Sequence, residues 1–335
     1  MMAKPLLIAS FLSLVSFLFP LVHISPAAAQ VNRLRVSYSS ITANNSPLWV
    51  AKEKGLFSKN NLDVQVLLIE SGTTSIQALV AGETQIAQLS GGVILSSGLA
   101  GADVVSIAGL ENRLAFSLIA QKEIKTPEQL KGKRLAISRF GSASDLGARL
   151  ILQRLGLVPE KDVTLLQVGG TSTRLAAITK GSVEATVITP EFYILAKKAG
   201  LTTLADPLSV KIDFPQNGIA TSRSFLKSQP EIVTQYLKAI IEAIHYFKNN
   251  RDETVRVMGK YLKIEDREAL AEIYELYKNI LAPLPLSTAE GMQTLLVSMA
   301  QRDPRAKDAK AEQFIDSTGL REIEKSGFIT GLYRR

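Results

Sequence analysis

Residues 71–92 read SGTTSIQALVAGETQIAQLSGG, and residues 170–191 read GTSTRLAAITKGSVEATVITPE. Each stretch opens on a Gly/Ser/Thr loop. An apolar-periodic segment follows, then a glycine, then a short apolar run that ends in Ser or Thr. Gly82 and Gly181 stand 99 positions apart, as do Thr74 and Thr173. The same offset lays RVSYSS at 35–40 over RLAISR at 134–139, and DVQVLLIE at 63–70 over DVTLLQVG at 162–169. The match runs over about 33–106 and 132–205 without a gap, which is the mark of one α/β unit used twice.

Within the first copy, strands are expected at 34–38, 64–69, 86–89 and 104–108. Helices are expected at 48–54 and 75–81, and a further helix opens at Ser90-Gly91-Gly92. Strands that alternate with helices predict a largely parallel sheet flanked by helices, so two copies predict an α/β protein of two lobes. Ligands of such sheets sit at the carboxyl ends of the strands, beside helix N-termini. The chain is expected to cross between lobes at 112–121 and again at 213–222. That assigns 31–115 and 219–335 to the first lobe and 116–218 to the second. Beyond Ser222 the pattern turns helical, over 229–250, 252–262, 266–281, 288–302 and 307–326, with Pro283, Pro285 and Pro304 as breaks. This C-terminal extension is expected on the first lobe.

The chain has 335 residues, 46% hydrophobic and 21% charged, enough for two ordinary domains. It has no cysteine, which excludes disulfides, thiolate metal sites, iron–sulfur clusters and cysteine nucleophiles. The N-terminal stretch MMAKPLLIASFLSLVSFLFPLVHISPAAAQ places Lys4 before a long apolar run and ends in an alanine triplet. It reads as a signal peptide over 1–29, cut before Gln30, and predicts a periplasmic protein; the alternative is an uncleaved membrane anchor, against which Pro20 interrupts the apolar run. The formal charge is +8, but Lys and Arg are interspersed with acidic residues, which argues against a nucleic-acid partner.

SPLWVAKEKGLFSKNNLDVQV, at 46–66, resembles the opening signature of the sulfonate/nitrate/taurine-type substrate-binding proteins of ABC importers. Pro47, Leu48, Ala51, Gly55, Phe57, Leu62, Asp63 and Val64 carry the pattern. ALVAGETQIA, LKGKRLAIS and FLKSQPEIVTQYLKAI are also similar, although Gln85 stands where the family usually has Asp. The resemblance covers about 31–250. It implies the type II periplasmic binding protein fold and a monomer that captures a small, polar, anionic solute for an ABC permease. Neither cofactor nor metal is implied. The implied ligand contacts in the first lobe are Ser39, Ser40, Ser71, Gly72, Thr73, Ser90 and Gly91. Those in the second are Ser142, Ser144, Thr171, Thr189 and Glu191, with Asn217 at the return crossing. Arg174 reads either as a fixed cation for a sulfonate or carboxylate, or as a solvent-facing helix residue. Glu191 reads either as an acceptor for a ligand ammonium or as a helix-start carboxylate favoured by the dipole. Trp49 is expected to pack beneath the cleft, and His245 to be structural.

Two other readings stand beside this one. The first lobe is also similar to the thiamine-pyrimidine synthase family, whose chemistry is tied to histidine, lysine-bound pyridoxal phosphate and a cysteine-rich iron site. This chain has no cysteine and, beyond the signal segment, one histidine. It also has no base for a serine nucleophile, no G-x-G-x-x-G and no Walker A motif, so no enzyme is expected. The third reading is a sensor that delivers its ligand to a receptor. Sulfonate, taurine, nitrate, a pyrimidine precursor and an aromatic carboxylate all suit a rim of Ser and Thr.

Overall fold

The computed structural model describes residues 32–334. The expected signal peptide lies outside them. Ten strands form two five-stranded sheets. They are β1 (Asn32–Tyr38), β2 (Leu62–Leu68), β3 (Ile86–Leu89), β4 (Val105–Arg113), β5 (Ser117–Ala120), β6 (Lys133–Ile137), β7 (Val163–Gln167), β8 (Ala185–Ile188), β9 (Thr202–Ala205) and β10 (Asp213–Thr221). One sheet has the order β2-β1-β3-β10-β4 and the other β7-β6-β8-β5-β9.

The two orders are the same pattern. β1 pairs in parallel with β2 and β3, and β6 with β7 and β8. The one antiparallel strand of each sheet arrives from the other half of the chain. β5 follows β4 directly yet pairs with β8 and β9, and β10 returns to pair with β3 and β4. The two crossing segments are thus sheet strands rather than mere connectors. Their short apolar runs are buried on both faces, which periodicity alone does not distinguish from a buried link. The 99-residue offset is kept by helices Gly72–Val80 and Thr171–Thr179, by helices Gly91–Leu99 and Pro190–Lys198, and by β3 and β8.

One core gathers Leu34, Val36 and Ile107 of the first sheet with Leu48, Trp49, Ile240, Ile244, Met258 and Tyr274. These come from helices Ser46–Glu53, Pro230–Asn249, Arg251–Leu262 and Arg267–Ile280. Trp49 is fully buried and stacks on Tyr261, with ring centres 4.8 Å apart, so it packs under the cleft. The helical extension packs on the first sheet, helix Ala289–Met299 lying on β10 and helix Gly91–Leu99, and also reaches the other half. Helix Ala289–Met299 sends Met292, Leu295 and Leu296 into a second core with Phe116, Leu118 and Leu146. The continuous helix expected over 307–326 is also absent. Asp316 N–H donates to the Ser106 carbonyl at 2.8 Å, drawing the chain out beside β4. Helix Thr318–Lys325 starts only after that contact.

Gly91, expected at the ligand, instead marks a close approach of helix to strand. A Cβ there would lie 2.6 Å from Cβ of Pro215 and 2.9 Å from the Met292 methyl. Gly91→Ala should therefore cost about 1–3 kcal/mol of stability by overpacking. Urea denaturation checks this, and an unchanged midpoint would contradict the packing described.

Candidate functional site

Six loops follow the carboxyl ends of β1, β2, β3, β6, β7 and β8, and all six converge on one cavity of about 400 Å³. The first sheet contributes Ser39, Ser40, Ser71, Gly72 and Ser90 to its wall. The second contributes Ser138, Ser142, Ser144, Thr171, Ser172 and Thr189. Asn217 of β10 closes the floor.

The helices that begin at this cavity fall into two kinds. Ser90 Oγ accepts from Gly92 N–H at 3.3 Å, and Ser142 Oγ accepts from Asp145 N–H at 3.4 Å, so these hydroxyls cap their own helices. Helices Gly72–Val80, Thr171–Thr179 and Pro190–Lys198 have no side-chain cap. The amides of Gly72, Thr73, Thr171 and Ser172 remain available to an oxygen placed in the cavity, whereas the third helix opens on Pro190, which has no N–H, and its Phe192 N–H bonds the Thr189 carbonyl at 3.0 Å. Ser71, at the start of one of them, sits at φ 78° and ψ 126°. A non-glycine residue adopts that backbone at a cost, and such strain clusters at ligand sites.

Several hydroxyls are held by one another. Ser138 donates to Ser142 at 2.8 Å, and Ser142 and Ser144 are 3.0 Å apart. On the opposite wall, Ser40 and Thr42 are 2.8 Å apart, Thr42 donates to Asn44 Oδ1 at 2.7 Å, and Asn44 Nδ2 donates to Glu111 at 2.9 Å. Asn217 Nδ2 donates to the Asn44 carbonyl at 2.9 Å and so fixes that loop.

Arg174 lines the cavity yet is only 2% exposed. Its Nε donates to Thr186, Nη1 to the Gly169 carbonyl, and Nη2 to Thr171 and the Val187 carbonyl, at 2.7–3.3 Å. It is therefore not the solvent-facing residue weighed from the sequence. Burial lowers its pKa to about 10, opposed by the charge of Glu70, and it remains a cation at neutral pH. The guanidinium orients the 169–171 loop and lends positive potential from beneath it.

Glu191 and Thr73 do not line the cavity. Glu191 is 1% exposed and accepts from Ala43 N–H at 3.1 Å and Thr189 Oγ1 at 2.9 Å. Thr73 turns to Ser71, at 2.8 Å, and to the 141 loop. Some lining residues had a signal in the sequence that was not used. Ser138 and Ser172 are the 99-residue counterparts of Ser39 and Thr73. Glu70, Phe192, Leu195 and Lys263 had none. Lys263 ends helix Arg251–Leu262 at φ 55° and comes from the extension, outside the duplicated region.

Among the described residues no group of three or more His, Asp or Glu is placed to hold a metal. His245 lies on helix Pro230–Asn249, edge-on to Tyr333 and away from the cavity.

A family model described as NMT1/THI5 like matches residues 42–254. The chain belongs to that family. Its relatives include a Brucella abortus (strain 2308) protein provisionally named a binding protein, 28% identical over 247 residues, covering 72% of this chain and 75% of the relative. The taurine-binding periplasmic protein of Escherichia coli (strain K12) is 25% identical over 229 residues, with coverages of 67% and 69%. Among solved structures, the alkanesulfonate-binding protein SsuA of Xanthomonas axonopodis pv. citri, bound to MOPS, aligns with a TM-score of 0.68 at 21% identity, over 85% of this chain and 96% of that one. That likeness carries the two-sheet fold for this NMT1/THI5-like chain.

Arg174→Met would leave the Gly169 and Val187 carbonyls without their donor. We expect a loss of at least about 2 kcal/mol in urea denaturation. A change within about 0.5 kcal/mol would contradict the structural role assigned to the guanidinium.

Proposed function

We propose that this protein is an exported, non-enzymatic binding protein that captures a small polar solute between two lobes and delivers it to an ABC permease. The observation that carries the reading is the pairing of uncapped helix starts from both sheets around one cavity. A single helix start leaves most of a small ligand in water. Opposed ones surround it with fixed donors and exclude the solvent that would compete.

The lobes are built on the two sheets, about 31–115 with 213–335 on the first and 116–212 on the second, so the second boundary falls before β10 rather than at 218. Ser39, Ser40, Ser71, Gly72, Thr171, Ser172 and Thr189 supply the direct contacts. Ser90, Ser142, Ser144 and Asn217 hold the loops in place, and Arg174 biases the site toward an anionic group. The family's binding proteins support the binding role, and the taurine- and alkanesulfonate-binding relatives support a sulfonate-like solute. The alanine triplet before Gln30 supports removal of 1–29 and action in the periplasm. The absence of cysteine from the chain, and of histidine from the cavity wall, supports binding without turnover.

Mass spectrometry of small molecules released from protein purified without added ligand should find one polar solute, chemically unchanged. With that solute, Ser39→Ala and Ser172→Ala should each weaken binding by about 0.5–1.5 kcal/mol in calorimetry. Sensitivity to changes on one sheet alone would contradict a grip from two sides. Turnover of the solute by the pure protein would contradict the binder reading.

A further inference from the structure

Beneath the cavity floor lie two carboxyl groups that solute capture does not explain. Glu111 is 3% exposed at the end of β4, and Glu191 is 1% exposed at the start of helix Pro190–Lys198. Glu111 accepts from Asn44, and Glu191 accepts from Ala43 N–H and Thr189. Among the described residues no cationic side chain hydrogen-bonds to either of them. The remaining Glu191 oxygen, Oε2, is buried with no hydrogen-bond partner. The Tyr277 hydroxyl, from helix Arg267–Ile280, lies close to it but short of hydrogen-bonding geometry.

Glu191 is also a contact between the halves of the molecule. It belongs to a helix of the second sheet, whereas Ala43, Glu111 and Tyr277 belong to the first sheet and the extension. The same helix is held at its far end by Lys198, which pairs with Asp266 at 2.8 Å. That pair is solvent-exposed and contributes little. The Glu191–Ala43 contact is buried, so its state decides how firmly the helix is held.

We propose that Glu191, facing Glu111 and Tyr277, is a proton-binding site that couples closure of the two lobes to uptake of a proton. The inference rests on the capture of a solute by lobe closure. In the closed arrangement, an ionised Glu191 would sit in a desolvated space beside another carboxyl with no countercharge, offset only by the hydrogen bonds it accepts and the nearby Tyr277 hydroxyl. Protonation removes that penalty and lets Oε2 donate toward Tyr277, while Oε1 keeps its bonds from Ala43 and Thr189. The two carboxyls reach the cavity through side chains that line it: Glu111 through Asn44, Thr42 and Ser40, and Glu191 through Thr189.

The direction follows from burial. Desolvation lifts Glu191 to about 7, opposed by the hydrogen bonds it accepts. Desolvation lifts Glu111 to about 8, opposed by Asn44 and reinforced by Glu191. Burial also raises Tyr277 well above its ordinary value, with both carboxylates adding to the shift, so it stays protonated. Opening the lobes wets Glu191 and returns it toward its ordinary 4.5. The closed form therefore holds more protons than the open form between these two values. The closed-to-open ratio is highest in acid, falls by up to about tenfold per pH unit, and levels off above about pH 7.

The chain has no native cysteine, so a spin-label pair at Lys52→Cys and Lys180→Cys reports the distance across the cleft without interference. Pulsed electron resonance on the full mature protein, with no solute added, should show a short distance near pH 5. The longer distance should gain population as pH rises to about 7. Glu191→Gln keeps the acceptor for Ala43 N–H and cannot ionise, so its distance should stay short at every pH. Glu111 is itself protonated over this range, so Glu111→Gln, which mimics that state, should leave the transition where it is in the native protein. Circular dichroism confirms that each variant is folded. A native distance unchanged across this range, or a Glu191→Gln distance that still moves with pH, would overturn the proposal. Solute capture itself fails on a different result, the absence of any solute released from the purified protein.

Discussion

Every buried amide must find an oxygen, and helix starts are where the chain cannot supply its own. Three helices begin at this cavity without a capping side chain, one from the first sheet and two from the second. The amides of Gly72 and Thr73 in the first copy, and of Thr171 and Ser172 in the second, meet only the space between the loops, while the Pro190 helix offers no N–H at its first residue. The strand exchange keeps those helix starts opposed. β5 and β10 each pair with the sheet opposite to the one they leave, so the two carboxyl edges face a common cavity rather than separate ones.

The two copies are not equal partners. At the position of Arg174, the first copy has Ser75, which bonds Ser37 at 2.9 Å beneath its own loop. The second copy replaces that hydroxyl pair with a buried guanidinium tied to two carbonyls and two threonines. Positive potential is thereby added on one side only, while Glu70 of the first side supplies a carboxylate at the wall. Duplication provided the frame. The buried charge is where the second copy departs from the first.

Much of the architecture was legible because the repeat is gapless. A 99-residue offset places helices 72–80 and 171–179 at identical positions in their copies, and the central strands 86–89 and 185–188 likewise. The loops around Ser39, Ser71, Thr171 and Thr189 followed from it. Burial and side-chain direction did not. Glu191 obeys the same offset as its neighbours but turns inward to Ala43, and Gly91 meets Pro215, a contact made by a strand from far along the chain. Lys263 and helix Ala289–Met299 lie in the extension, where no second copy shows which face matters. Sequence periodicity reports which residues are apolar. Which half of the molecule they pack against is fixed by tertiary contact.

The central claim is that unpaired amides from both sheets hold one solute. It is tested most directly by following the backbone amides of Gly72, Thr73, Thr171 and Ser172 in ¹⁵N-labelled protein, before and after its co-purified solute is removed. The account predicts that amides of both pairs shift together and lose protection from hydrogen exchange when the solute leaves. A response confined to residues 72–73, with 171–172 unaltered, would show that the second copy is scaffold and that the grip is one-sided.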